Sequence, residues 1–325
     1  MPVKDRPRQK RFFLSTAVGA GLVCGAVLAA QVASEVREPD LRVDVGLVNA
    51  AFSVRNADGA FVRNLTREDF EVLEDGVPQP IRFFGATADL PLTVGLVEDF
   101  SPSQDRFNRR HREDTAAFLR GVLRRSDQAF LVCFGDYVRL VADLSGDADE
   151  MERLMREYDH HPGRFPILGF PEKRFGGTAL FDAVYFASYS KMRHLSGRKA
   201  LLVFSDGEDN ASLRTLSTAV ETAQSADALI YGVRYTAIKK ELTPRNLRGI
   251  AVMKRLALET GGVDFDAGEV EMPEVFTRIG EELRSLYELG YTPPNAARDG
   301  RFHKIEIRAK RPGLTVRSRT GYFAR

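Results

Sequence analysis

Two runs of the chain are apolar along their whole length and stop on short oxygen side chains. Leu92–Glu98 (LTVGLVE) leads into Asp99, Phe100, Ser101, Pro102 and Ser103, and Ala200–Phe204 (ALLVF) leads into Ser205, Asp206, Gly207, Glu208 and Asp209. A strand with one wet face alternates apolar and polar residues, whereas one covered on both faces reads as a continuous apolar run. Both segments therefore belong inside a sheet with helices on either side. Further strands are expected at Ala129–Phe134, Val138–Ala142 and Ala228–Tyr235. Apolar residues at helical spacing place helices at Arg106–Leu123, Ala148–Tyr158, Ala179–His194, Leu213–Ala226, Leu247–Thr260 and Pro273–Leu289. This alternation predicts a doubly wound, mostly parallel α/β sheet over residues 91–285. The stretch from Asp159 to Gly177 has three prolines and no usable period, so it reads as a long loop.

The segments on either side have a different rhythm. From Leu41 to Phe84, short alternating runs are broken at Asp58-Gly59 and Asp75-Gly76, two good hairpin turns, and Thr66-x-x-Asp69 starts a single helical turn. Residues 41–85 thus read as a small β unit. Residues 286–325 alternate in the same way around Arg298-Asp299-Gly300 and Pro312-Gly313. These C-terminal strands are expected to pair with the N-terminal unit, leaving the α/β domain inserted between its halves.

The N-terminus bears on location. Five basic side chains (Lys4, Arg6, Arg8, Lys10, Arg11) precede Phe12–Ala33, which carries no charge and is almost wholly apolar. That is the layout of an export signal, so residues 1–33 are expected to act as a signal peptide or a membrane anchor. The small-residue pattern near Ala29, Ala30 and Ala33 allows cleavage, while about 22 apolar residues are enough to span a bilayer, and both outcomes stay open. The expected location is periplasmic, secreted or anchored on the outer side of the cytoplasmic membrane. The bulky Val23 before Cys24 argues against a lipoprotein. Of the net charge of +2, the leader holds more than its share, so the rest is slightly acidic and nucleic acid is not an expected partner. The second cysteine, Cys133, lies in an apolar run and reads as a small buried hydrophobe.

In an open α/β sheet, ligands bind beyond the carboxyl ends of the strands, where strand order reverses. If Leu92–Glu98 and Ala200–Phe204 flank that point, their loops meet there, and Gly176-Gly177-Thr178 adds a hydroxyl at the start of a helix. Carboxylate and hydroxyl oxygens without His or Cys are hard ligands, suited to Mg²⁺, Mn²⁺ or Ca²⁺. The i, i+2, i+4 spacing of Asp99, Ser101 and Ser103 lets a tight loop aim alternate side chains at one point. Each residue also has a plainer role: helix cap for Asp99, Ser101, Ser103 and Thr178, turn for Asp206-Gly207. His160 and His161 read as solvated loop residues. Arg164, Lys173 and Arg174 would select an acidic ligand if their loop folds over the site. The RRHRED run, residues 109–114, reads as the wet face of a helix.

At these residues the sequence resembles the von Willebrand factor type A (VWFA) domain, whose metal-ion-dependent adhesion site (MIDAS) has the form Asp-x-Ser-x-Ser, then a Thr, then an Asp. Within that superfamily it is most similar to the acidobacterial group of VWFA-related proteins. The similarity extends to LTREDFEVLEDGVPQPIRFF, GGTALFDAVY, GRKALLVFSDGEDN and the C-terminal YELGYTPPN, DGRFHKIEI and GLTVRSRTGYF, so it covers most of residues 41–325. The resemblance implies a Rossmann-like α/β fold. It also implies a Mg²⁺ site, with Mn²⁺ or Ca²⁺ as alternatives, formed by Asp99, Ser101, Ser103, Thr178 and Asp206. The implied function is adhesion or ligand binding, with an acidic group of a protein or surface polymer completing the coordination. Phe100 and Pro102 depart from the Thr and Gly usual between the ligands, and Glu98 is also unusual. The alternative is thus a structural or assembly module of the cell envelope with a degenerate, weakly occupied site. Gly-x-Ser-x-Gly, His-Glu-x-x-His, phosphate-loop and dinucleotide patterns are absent, and Ser205-Asp206 with a histidine makes a triad only on paper, so no enzyme is expected. Membrane contact is expected only through the N-terminal anchor.

Overall fold

In the computed structural model, which describes residues 47–86, 89–169, 176–235, 242–293 and 299–324, the chain opens on four strands. These are β1 (Val48–Arg55), β2 (Phe70–Glu74), β3 (Val77–Gln79) and β4 (Ile81–Ala86). The β2–β3 hairpin turns on Asp75 and Gly76 with φ of 50° and 83°, the double left-handed conformation that a two-residue turn requires and that Asp-Gly supplies. Thr66 and Asp69 form the expected capping box over one 3-10 turn, Arg67–Asp69. The leader, residues 1–33, and Lys173 and Arg174 lie outside the described residues. Among the described residues no helix is long and apolar enough to cross a membrane.

The α/β part follows as β5 (Leu92–Asp99), α1 (Asn108–Val122), β6 (Gln128–Phe134), β7 (Val138–Ser145), α2 (Ala148–His160), α3 (Leu180–Phe186), β8 (Arg198–Phe204), α4 (Leu216–Ser225), β9 (Ala228–Arg234), α5 (Pro244–Thr260), β10 (Asp264–Asp266) and α6 (Met272–Leu283). Its sheet runs β10-β9-β8-β5-β6-β7, and every neighbouring pair is parallel except β6–β7. From β5 the chain moves outward through β6 and β7, then returns to β8 on the other side of β5. Strand order therefore reverses between β5 and β8, where Glu98 stands opposite Phe204. This is the doubly wound, mostly parallel α/β fold expected from the apolar runs. All eight residues of β5 are buried. Side chains of α1, α2 and α6 pack on one face and those of α3, α4 and α5 on the other. A Cβ at Gly95 of β5 would lie 2.4 Å from the Phe130 ring and 2.5 Å from Leu201, so only glycine fits between those neighbours.

Several elements differ from expectation for identifiable reasons. The helix expected over Ala179–His194 is α-helical only to Phe186 and continues as a π-helical turn, Ala187–Met192. The one expected to start at Leu247 starts at Pro244, because Thr243 caps it reciprocally with Asn246 and proline is preset for the first turn. The last helix ends at Leu283 rather than Leu289. The residues beyond it form β11 (Tyr287–Tyr291), as the β alternation from residue 286 onward predicts, and sheet pairing takes them from the overlapping helical period. The RRHRED run is not uniformly wet, since His111 is fully buried against Phe107, Phe204 and Tyr235.

After β11 come β12 (Phe302–Ala309), β13 (Thr315–Ser318) and β14 (Gly321–Phe323). Strands from the two ends of the chain interleave in two antiparallel sheets, β13-β1-β11-β4 and β14-β12-β2-β3. Phe52, Phe70, Phe84 and Tyr287 form a ring cluster between them, with centroids 5.0–6.4 Å apart.

His303 clips the β2–β3 turn to β12. Its Nδ1 lies 2.9 Å from Asp75 Oδ2 and its Nε2 3.3 Å from Asp299 Oδ1, with Glu74 Oε1 3.8 Å from Nδ1. The hydrogen bond to Asp75 is the main cause of a raised imidazole pKa. A folded pKa above the unfolded one gives stability that is complete below the unfolded value and is lost as pH rises through the folded one. The difference in thermal midpoint between wild type and His303→Gln is therefore expected to be larger at pH 5.5 than at pH 8.5. A difference independent of pH would show that the imidazolium contributes nothing.

Candidate metal centre

Because β5 and β8 end side by side, Asp99 and Ser205-Asp206 leave the sheet level with one another. Asp99 is fully buried. Its Oδ1 accepts the Ser101 N–H at 2.9 Å, the local turn that a short carboxylate makes two residues on, and its Oδ2 accepts from Ser205 Oγ at 2.6 Å. Ser101 Oγ lies 3.2 Å from Ser103 Oγ, and Ser103 Oγ donates to Asp206 Oδ2 at 3.0 Å. Asp206 Oδ1 accepts the Glu208 N–H at 3.1 Å. Asp99, Ser101, Ser103 and Asp206 thus converge at the switch point across two loops.

Thr178 reaches the same rim through its backbone. Its N–H donates to Asn210 Oδ1 at 2.8 Å, and its carbonyl accepts from Asn210 and Ala211, both at 3.1 Å. The next N–H, of Ala179, donates to Gly135 at 2.8 Å, and Gly135 abuts Phe100. Gly177 before it has φ +131°, and a Cβ there would meet Asn210 Oδ1 at 2.5 Å. No hydrogen bond joins the Thr178 hydroxyl to the other four residues.

Burial pushes the Asp99 carboxyl up to about 7, and the neighbouring Asp206 charge adds to the effect, against the hydrogen bonds from Ser101 and Ser205. Burial likewise pushes Glu98 up to about 8 although Thr115 Oγ1 donates to it at 2.5 Å. Glu98 is therefore chiefly neutral near pH 7 and adds little charge behind Asp99. Two carboxylates crowded into a buried pocket are costly alone, and a divalent cation relieves both desolvation and repulsion. The donors are all hard oxygens, so the chemistry of the set fits such a cation.

The atypical residues of the first loop do not obstruct it. Phe100 turns away, its ring edge-on to Tyr158 at 4.9 Å. Pro102 occupies the second position of a turn closed by the Gln104 N–H to the Ser101 carbonyl at 2.8 Å, where a fixed φ is favourable and no N–H is needed. Sequence reasoning missed three partners: Ser205, which holds Asp99; Gln104, whose Nε2 donates to Asp206 Oδ2 at 2.8 Å; and Asn210, which holds Thr178. Proximity to the motif was their only signal.

The remaining residues singled out in the sequence lie apart from this network. Cys133 is a free, fully buried thiol. His160 and His161 are exposed, and Arg164 pairs with Glu157 at 3.3 Å. Among the described residues, Glu74, Asp75 and His303 are the group of His and carboxylate side chains close enough to share an ion, within 4.8 Å of one another. That group is in the β sandwich, and its members already hold one another and the hydroxyls of Tyr291 and Tyr322. Beside Asp206 lies a groove of about 290 Å³ between the Gly207–Asn210 loop and α5, lined in part by Arg245 and Arg248.

The chain matches no protein-family model and no curated protein. Among solved structures it is similar to an aerotolerance-related membrane protein from Bacteroides fragilis, with 16% identity and a TM-score of 0.44 over 59% of this chain and 98% of that one. It is similar also to BatB from Bacteroides thetaiotaomicron, with 16% identity and a TM-score of 0.43 over 59% of this chain and 97% of that one. A third is proximal thread matrix protein 1 from the mussel byssus, described with a zinc-occupied MIDAS motif, at 11% identity and a TM-score of 0.44. That match covers 65% of this chain and 49% of the mussel protein, so the chain spans about half its length.

Proposed function

We propose that this chain is an exported binding module of the von Willebrand factor A type, of the acidobacterial VWFA-related kind, that recognises a protein or surface polymer through a bound divalent cation. The observation that carries the reading is the convergence of Asp99, Ser101, Ser103 and Asp206 in one hydrogen-bonded network at the reversal of strand order. Mg²⁺ is the ion proposed, with Mn²⁺ or Ca²⁺ as substitutes, and Thr178 completes the set from the neighbouring loop. Two carboxylates and neutral hydroxyls leave the ion with net attraction for an anion. An acidic group of the partner is the natural final ligand of such an ion. The role is binding rather than catalysis, on the outer side of the cytoplasmic membrane.

The test is capture of envelope components on the immobilised chain with Mg²⁺, with EDTA, and with Asp206→Ala. A partner retained only by wild type with Mg²⁺ supports the reading. Capture equal in all three arms removes the cation from recognition.

A further inference from the structure

Gln104 follows directly on the Asp99–Ser103 loop and is 1% exposed. Its backbone is fixed on both sides: the N–H donates to the Ser101 carbonyl at 2.8 Å, and the carbonyl accepts from the Phe107 N–H at 2.7 Å. Its side-chain Nε2 donates to Asp206 Oδ2 at 2.8 Å and more weakly to the Tyr235 carbonyl at 3.4 Å. Its Oε1 is buried and, among the described residues, meets no donor. Turning the amide over would set its oxygen against the Asp206 carboxylate, so the contact with Asp206 fixes which end faces the unpartnered position. Buried acceptors are nearly always met, and one left open on an amide whose other end holds Asp206 is in want of a cation or of water held by one. Amide carbonyl oxygens are ordinary ligands of hard divalent cations.

We infer that Gln104 is a further member of the cation site, its N–H₂ fixing Asp206 and its amide oxygen facing the ion or a water on it. The inference rests on the cation reading proposed above. In this position the glutamine does two things through separate atoms. It orients a charged ligand, and it adds an oxygen without adding charge, which preserves the attraction for an acidic partner.

The experiment is titration of the metal-free full chain with Mn²⁺, followed calorimetrically, for wild type, Gln104→Met, Gln104→Glu and Asp206→Ala, with the thermal midpoint in EDTA as the folding control. Met keeps the length of the side chain and removes both polar atoms. Glu restores an oxygen without a donor. Mn²⁺ affinity is expected to fall about tenfold to a hundredfold in Gln104→Met, the range for residues that hold a ligand from behind, and to be lost in Asp206→Ala. Gln104→Glu, which keeps an oxygen for the ion but gives up the N–H₂ that holds Asp206, is expected to lose less than Gln104→Met, a difference that a packing role cannot produce. Should Gln104→Met fail to fold, Gln104→Glu alone decides, because Mn²⁺ affinity lost as completely as in Asp206→Ala would overturn the assignment. Wild-type affinity in Gln104→Met, or equal losses in Met and Glu, overturns the inference while the cation reading stands, provided Asp206→Ala still abolishes binding. A wild-type chain that takes up no Mn²⁺ overturns both.

Discussion

Adding Mg²⁺ or Mn²⁺ to the metal-free protein is expected to raise its thermal midpoint, and Asp99→Ala or Asp206→Ala is expected to abolish the rise. A ligand that binds only the folded state stabilises it by about 2.7 kcal/mol at a hundred times its dissociation constant. For a unit of this size, about 1 kcal/mol moves the midpoint by roughly 2–4 °C, so saturation predicts a shift on the order of 5–10 °C. The reason is local. Without an ion, Asp99 carries the cost of full burial and of the nearby Asp206 charge, offset by hydrogen bonds from Ser101 and Ser205. A cation converts that repulsion into shared attraction. In Asp206→Ala the Gln104 Nε2 loses its 2.8 Å partner as well, so a moderate drop in the EDTA midpoint is expected in addition to the lost response. A midpoint that ignores both EDTA and added Mg²⁺ would favour the other reading, a structural or assembly module whose degenerate site stays empty.

Much of this arrangement was legible because the burial of β5 and β8 leaves a plain sign. Strands covered on both faces cannot alternate, and their ends can be read to within a residue of where Asp99 and Ser205 begin. The hairpin turn at Asp75-Gly76 was equally plain, because left-handed backbone selects few residue types, whereas at Asp58-Gly59 the glycine alone is left-handed and the turn closes a single bridge, Arg55 to Phe61. What could not be read was whatever depends on a distant partner. Tyr287–Tyr291 fits both a helical period and the β alternation expected from residue 286 onward, and pairing with β1 and β4 on either side decides for the strand. Asp182 reads as an ordinary helix residue, yet it is fully buried and accepts the Leu213 and Arg214 N–H groups, fixing the chain that follows the Asp206 loop. Gln104 and Ser205 look unremarkable in sequence for the same reason: their roles are set by carboxylates on another strand. The short β10, an acid-aromatic-acid triplet, has no pattern of its own and exists through pairing with β9.

Glu282→Ala is expected to be the most destabilising single change at the seam between the α/β part and the β sandwich. Glu282 is at the end of α6 and 2% exposed. Its Oε1 accepts from Ser53 Oγ of β1 at 2.6 Å and pairs with Arg317 of β13, while Arg55 Nη2 lies 3.9 Å from Oε2. One carboxylate thus ties the last helix to strands from opposite ends of the chain. Removing one member of a buried ion pair costs about 3–5 kcal/mol, because its partner is left without compensation. Arg317 keeps 27% of its side chain exposed and can recover some hydration, which places the loss toward the lower end of that range. In urea, Glu282→Ala should therefore lower the midpoint strongly, and the double variant Glu282→Leu, Arg317→Leu should lose less than the single one, since only Arg55, whose side chain is 33% exposed, is then left without the carboxylate. If the m-value also falls, or the transition splits in two, Glu282 is what makes the sandwich and the α/β sheet unfold together. Equal losses in the single and double variants would show instead that the seam is held by the surrounding apolar packing and that the ion pair adds nothing to it.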